Sequence, residues 1–439
     1  MQSSASPSAG LFTPKLITVL AEGYRLPDLR ADILAGLTVA VVALPLSMAI
    51  AIASGTTPDR GLFTAIVGGF LVSALSGSRV QIGGPAGAFI VVIASSIERH
   101  GIEGTVLATA LSGLILVAAG ALRLGSIIRL IPFPVTVGFT AGIGTIILSS
   151  QLKDALGLHL AGKEPAAIAP KLQALVEASG TASASAMALC AMTIGIILAI
   201  RRWLPAWPGM LIAIAIAAGA AVTGGLAIDT IGSRFGALPS SLPLPSLPDV
   251  SMAHVLEVLP DACVFALLGA IESLLCAVVA DKMTQRQHRS NCELVAQGIA
   301  NIGSALFGGI SVTGTVARTA TNVRAGARSP ISGIVHALSI LVIMRLAAPL
   351  CAYIPLSALA GVLIVVSWNM IEPHAIARLF KGSRPGFAVM ALTLALTVFS
   401  GLVEAIAAGV MLDGLFRLRT RNSRLMSRIL SRWRRWRDR

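Results

Sequence analysis

Two short segments hold the residue types best suited to gripping a small anion. Gly83-Gly84-Pro85-Ala86-Gly87-Ala88 opens one, and Thr313-Gly314-Thr315-Val316-Ala317-Arg318-Thr319 opens the other. The first turn of a helix leaves its amides without intrahelical acceptors, and the peptide dipoles sum to partial positive charge there. Two such ends facing each other would cradle an anion, with glycine letting the backbone come close. Candidate contacts are Ala86, Gly87 and Ala88 on one side and Gly314, Thr315 and Ala317 on the other, with Arg318 supplying a full charge. An arginine inside an apolar segment costs at least about 3 kcal/mol on insertion scales. A bound anion would offset that cost; a structural ion pair or snorkelling to the cytoplasm would explain it otherwise. Helix packing through small residues is the competing account of the glycines. The matching placement of two clusters favours the pocket.

Glu272 falls in the middle of a long apolar run, Leu268-Gly269-Ala270-Ile271-Glu272-Ser273. A lone carboxylate there tends to be protonated or paired. It could carry a coupling proton, pair with Arg318, help bind a cation, or simply pack between helices. Asp261 and Asp281 flank it near the ends of the same run and are expected at the interfaces. His336 reads as a packed core histidine. Pro45, followed by Leu46, is expected to kink or interrupt the first apolar helix, and such breaks often line cavities. The five cysteines, Cys190, Cys263, Cys276, Cys292 and Cys351, lack metal-site spacing and read as small buried hydrophobes. No phosphate-binding loop, zinc-protease helix or nucleophile elbow is present, so neither ATP-driven transport nor hydrolase chemistry is expected, and no cofactor or metal is implied.

The elements that position these residues must lie in a bilayer. Of 439 residues, 55% are apolar and 12% charged, against about 25% charged in soluble domains. A water-soluble fold could not hide that much apolar surface. The net charge of +14 sits between apolar runs and in one terminal block, with only 5% aromatics. That fits lipid headgroups and the positive-inside rule better than nucleic acid.

Fourteen spans are predicted, at about 33–54, 60–76, 86–97, 104–122, 134–151, 184–200, 208–226, 260–280, 291–308, 315–326, 330–348, 355–371, 385–400 and 401–417. With both termini cytoplasmic, most of the 34 basic residues fall on one side. The N-terminus lacks the features of a cleaved signal. Ile33 to Gly83 and Pro260 to Ile310 each run about 50 residues to a Gly-rich extended break followed by an unusually short apolar segment. Such paired breaks mark an inverted repeat of seven spans per half. The expected organisation is a cytoplasmic segment 1–30, a transmembrane domain 31–418 with repeats at about 31–228 and 255–418, and a tail 419–439. In the tail, Leu418, Leu425, Met426, Ile429, Leu430, Trp433 and Trp436 recur at helical spacing among arginines, as in a basic amphipathic helix at the membrane surface.

These segments together resemble the SulP (sulfate permease) family of anion transporters. Asp32-Ile33-Leu34-Ala35-Gly36-Leu37-Thr38-Val39 with Leu44-Pro45 is similar to its first-helix signature, and Thr313 to Asn322 continuing into Ala325-Gly326-Ala327-Arg328-Ser329-Pro330 to its tenth-segment signature. Ile271 to Asp281 with Asn291 to Gly298 resembles the bacterial branch that includes a C4-dicarboxylate transporter. The resemblance covers about 28–418. It implies an all-α fold of fourteen spans with a core domain (spans one to four and eight to eleven), a gate domain, and an anion between the third and tenth half-helices. Arg318 matches the family arginine and Glu272 the carboxylate of the eighth span. Many members carry Gln after the first-helix proline, where this chain has Leu46. The family usually ends in a cytoplasmic STAS domain; here Arg417 to Arg439 follows the last span. The implied function is secondary transport of sulfate, bicarbonate or a C4-dicarboxylate across a bacterial inner membrane. Proton symport through Glu272 is the expected coupling, with sodium coupling or exchange as alternatives; the core is expected to move like an elevator, and the resemblance implies a homodimer among membrane lipids. A passive anion channel and a nucleobase carrier of the related fold are the rival readings; an enzyme is not expected.

Overall fold

The computed structural model describes residues 12–126, 132–162, 165, 168–205, 207–248, 250–382, 384–401 and 404–418. The tail expected to form an amphipathic helix, 419–439, lies outside the described residues. Helices dominate, because hydrocarbon offers no partner for a free backbone amide or carbonyl. After a short helix α1 (Lys15–Ala21) come α2 (Leu26–Ala53), α3 (Pro58–Phe63), a π-helical turn Thr64–Gly68, and α4 (Gly69–Leu75). A two-residue strand β1 (Gly83–Gly84) and a 3₁₀ turn Gly87–Phe89 lead into α5 (Ile90–Ala121). The first half ends with α6 (Phe133–Leu156), α7 (Ile168–Glu177), α8 (Ala184–Trp203) and α9 (Gly209–Thr223).

The second half follows the short α10 (Ile231–Phe235). It comprises α11 (Met252–Thr284), α12 (Ser290–Leu306), strand β2 (Thr313–Gly314), α13 (Val316–Arg324), α14 (Ile331–Cys351), α15 (Leu356–Ile371), α16 (Pro373–Gly382), α17 (Arg384–Phe399) and α18 (404–418). Helix α5 counts as two spans, since Gly101 breaks it with φ of 68°. Each half therefore contributes seven spans. An odd number per half makes the two halves run in opposite directions, so the architecture is a seven-plus-seven inverted repeat.

Several boundaries differ from those expected. Helix α2 starts seven residues before Ile33, at Leu26, with Pro27 in its first turn, where a missing amide costs nothing. Helix α11 begins at Met252 rather than Pro260, because the Ser251 side chain caps it and Pro260 is absorbed inside. Hydropathy marks the hydrocarbon-spanning part of such a helix and misses its polar ends. Helices α1, α7 and α16 were not expected at all. Cys263 is exposed, whereas the other four cysteines are buried as expected.

The described residues form two compact units, those within 1–128 with 147–366, and those within 129–146 with 367–418. In the larger unit α2 packs on α14, and α5 packs on α11 and α12. The α2–α14 and α11–α5 pairs are equivalent by the inverted repeat. Close approach of α5 and α12 depends on Gly113 and Gly298, since a methyl group on either would run into the carbonyl of the other. In the smaller unit Val137, Ala375 and Met390 form the buried apolar centre.

Candidate anion site

The two short segments meet. β1 and β2 pair antiparallel, with Gly83 opposite Gly314 and Gly84 opposite Thr313. Neither strand could persist alone in a bilayer; each supplies the acceptors and donors the other needs. Beyond the strands, the Thr315 amide donates to the Ile82 carbonyl at 3.0 Å, and the Ile82 amide donates to Thr319 Oγ1 at 3.0 Å. The Gly314 amide donates to Ser273 Oγ at 3.3 Å, tying the pair to α11. From this crossing the 3₁₀ turn at Gly87 starts in one direction and α13 in the other.

At the start of α13 the first intrahelical bond runs from the Thr319 amide to the Thr315 carbonyl. The amides of Val316, Ala317 and Arg318 precede it, and their donors are the ones a helix start leaves over. Ala86, Ala88 and Thr315 are buried, and Ala317 is exposed. Neighbours on a helix point about 100° apart, so Ala317 opens outward while Arg318 turns in.

Arg318 is 2% exposed. Its Nη2 donates to Ser47 Oγ at 3.0 Å and to the Pro85 carbonyl at 3.4 Å. The guanidinium thus links α13, the approach to the third span, and α2. Its Nε and Nη1 are buried without a partner. No carboxylate pairs with it among the described residues. Nη1 lies against Gly84, where a Cβ would collide with it, so only glycine leaves room for the guanidinium. Helix α2 is not interrupted at Pro45 but runs on through it, and Pro45 and Leu46 lie buried beside Ser47.

Glu272 is half-buried on α11 and makes no hydrogen bond among the described residues. The suggested Glu272–Arg318 ion pair is not formed. Asp261 pairs with Arg99 at 2.7 Å, and Asp281 accepts from His288 Nδ1 at 2.6 Å. His336 is buried as expected for a core residue, yet both ring nitrogens lack partners.

The carboxylate tied to this crossing is Glu293 on α12, which stands in the sequence only as one letter of the Asn291–Gly298 stretch. It is fully buried and accepts from Ser76 Oγ at 2.5 Å, the Gly77 amide at 3.1 Å, Gln81 Nε2 at 2.9 Å and Gln297 Nε2 at 3.2 Å. Gln81 Nε2 also donates to the Ser273 carbonyl at 3.3 Å. Asn301 serves the other strand, donating to the Val312 carbonyl at 2.9 Å and accepting from the Val312 amide at 3.0 Å. The signal available in the sequence was the polar Gln81 between Val80 and Ile82.

Comparison with known proteins gives a consistent result. A profile described as the sulfate permease family matches residues 29–393. YvdB of Bacillus subtilis is 40% identical over 399 residues, which is 91% of this chain and 75% of that protein. The bicarbonate transporter BicA of Synechocystis is 34% identical over 396 residues, 88% of this chain and 69% of that one. Among solved structures, the transmembrane domain of a cyanobacterium bicarbonate transporter BicA superposes with a TM-score of 0.80 at 33% identity, covering 88% of this chain and 98% of that one. The murine Solute Carrier 26 family member A9 anion transporter, in the inward-facing state, gives 0.83 at 16% identity over 95% of this chain and 73% of that one, a likeness of fold alone.

Proposed function

The chain belongs to the sulfate permease family, and we propose that it is a secondary transporter that carries a small oxyanion across a bacterial inner membrane. The candidates are bicarbonate, sulfate and a C4-dicarboxylate. One observation carries the proposal: a buried arginine with two of its three nitrogens unpaired, beside two helix starts. Unpaired buried donors are costly, and the free Nε and Nη1 can each donate a charge-assisted bond to an oxyanion oxygen. A neutral nucleobase has no use for that charge. The likeness to BicA puts bicarbonate first among substrates to test. Glu272, with no hydrogen-bond partner on a spanning helix, is our candidate for the coupling proton. The working mechanism in this reading is movement of a core domain against a gate domain.

The test is uptake into liposomes holding the purified protein, with labelled bicarbonate, sulfate and succinate, at two pH values, with and without sodium. We expect saturable uptake of at least one of the three, strengthened by an inward proton gradient. Uptake of none above protein-free liposomes overturns the proposal.

A further inference from the structure

The larger unit carries a groove that the transport chemistry does not use. Its cavity measures about 280 Å³, and all nine residues lining it are apolar or glycine. Val67 and Phe70 come from the second span, Gly303 and Phe307 from the end of α12, Leu338 from α14, and Leu242 from the Pro-rich connection before α11. A groove without a polar atom, on spanning helices, excludes an aqueous ligand and suits a hydrocarbon chain.

What stands above the groove is not apolar. Leu338, Val342 and Arg345 follow one another by four and three residues on α14, so they share a face. Leu338 is 48% and Val342 53% exposed. Arg345, about 10 Å farther along the axis than Leu338, is exposed. Its Nη1 donates to Ser240 Oγ at 3.0 Å. The other guanidinium nitrogens meet no protein group among the described residues. The Pro-rich connection closes over this corner. The Ser246 amide holds it to the Leu306 carbonyl at 2.8 Å. It carries no charged side chain between Phe235 and Pro248, and Leu244 and Leu247 are 87% and 81% exposed. Leucines so placed belong in lipid rather than water.

We propose that this corner is a binding site for an anionic phospholipid, one acyl chain in the groove below Leu242 and the phosphate on Arg345. A bare groove would hold any acyl chain. The arginine, one face above it, adds selection for negative charge. The site is separate from Arg318 and does not rest on the transport proposal.

The probe is a tryptophan in the groove. Phe70→Trp, in liposomes containing phosphatidylglycerol or phosphatidylcholine brominated on the acyl chains, is read as quenching relative to the parent protein. Leu338→Trp serves as a second reporter should the first variant fold poorly. We expect brominated phosphatidylglycerol to quench at about fivefold lower mole fraction than the phosphatidylcholine, and Arg345→Gln to abolish the difference. Equal quenching by the two lipids, or a preference that survives Arg345→Gln, overturns the site. So does a disulfide between Leu338→Cys residues of two copies, which would make the groove a protein interface.

Discussion

A guanidinium in a dry site selects by shape as well as charge. Arg318 should therefore be ranked against Lys and Ala rather than deleted alone. Arg318→Lys keeps the charge and loses the planar fork; Arg318→Ala loses both. We expect apparent anion affinity to fall in the order Arg, Lys, Ala, with the Ala variant weaker by about 1.5–3 kcal/mol, the range for a hydrogen bond to a charged group. Titration calorimetry on the purified protein reads this directly. Because two nitrogens of the parent side chain are unpaired without an anion, Arg318→Ala should unfold no earlier than the parent in anion-free buffer. It should also lose the rise in melting temperature that a bound anion gives. Equal affinity in parent and Ala variant would place the anion elsewhere.

At the scale of elements, the two-residue strands are too short to hold themselves. Glu293 and Asn301, both on α12, anchor the segments leading into them. Removing the Glu293 carboxylate takes the acceptor from four donors, on Ser76, Gly77, Gln81 and Gln297. Each stranded buried donor costs about 1–3 kcal/mol. Glu293→Ala should thus lower the thermal unfolding midpoint in detergent markedly, and Glu293→Gln, which keeps one carbonyl acceptor, should lie between. An Ala variant as stable as the parent would mean that the carboxylate does not organise the crossing.

For the whole molecule, carrier and channel differ in whether flux can run uphill. A carboxylate that moves the coupled proton must change protonation in each cycle, and Glu272→Gln is nearly isosteric but cannot ionise. Liposomes with the parent protein should concentrate the anion under a proton gradient. Those with Glu272→Gln should only equilibrate it, at a downhill rate that remains measurable. Accumulation by the Gln variant would remove Glu272 from coupling. Voltage-clamped current through the parent without any accumulation would favour a channel on this scaffold.

Much of this protein follows from one-dimensional information. Apolar runs long enough to span a bilayer and two interrupted segments at matching distances determine an inverted repeat, because each is a local property of the chain. Arg318 and Glu272 were visible for the same reason, as ionisable residues in apolar runs. The pairing of Gly83 with Gly314 joins residues more than two hundred positions apart, and no local pattern encodes it. Nor did any local pattern place Arg318 on Ser47 and Gly84, leave Glu272 without it, or gather four donors around Glu293. Those contacts depend on which faces of distant helices are brought together, and only the tertiary structure decides that.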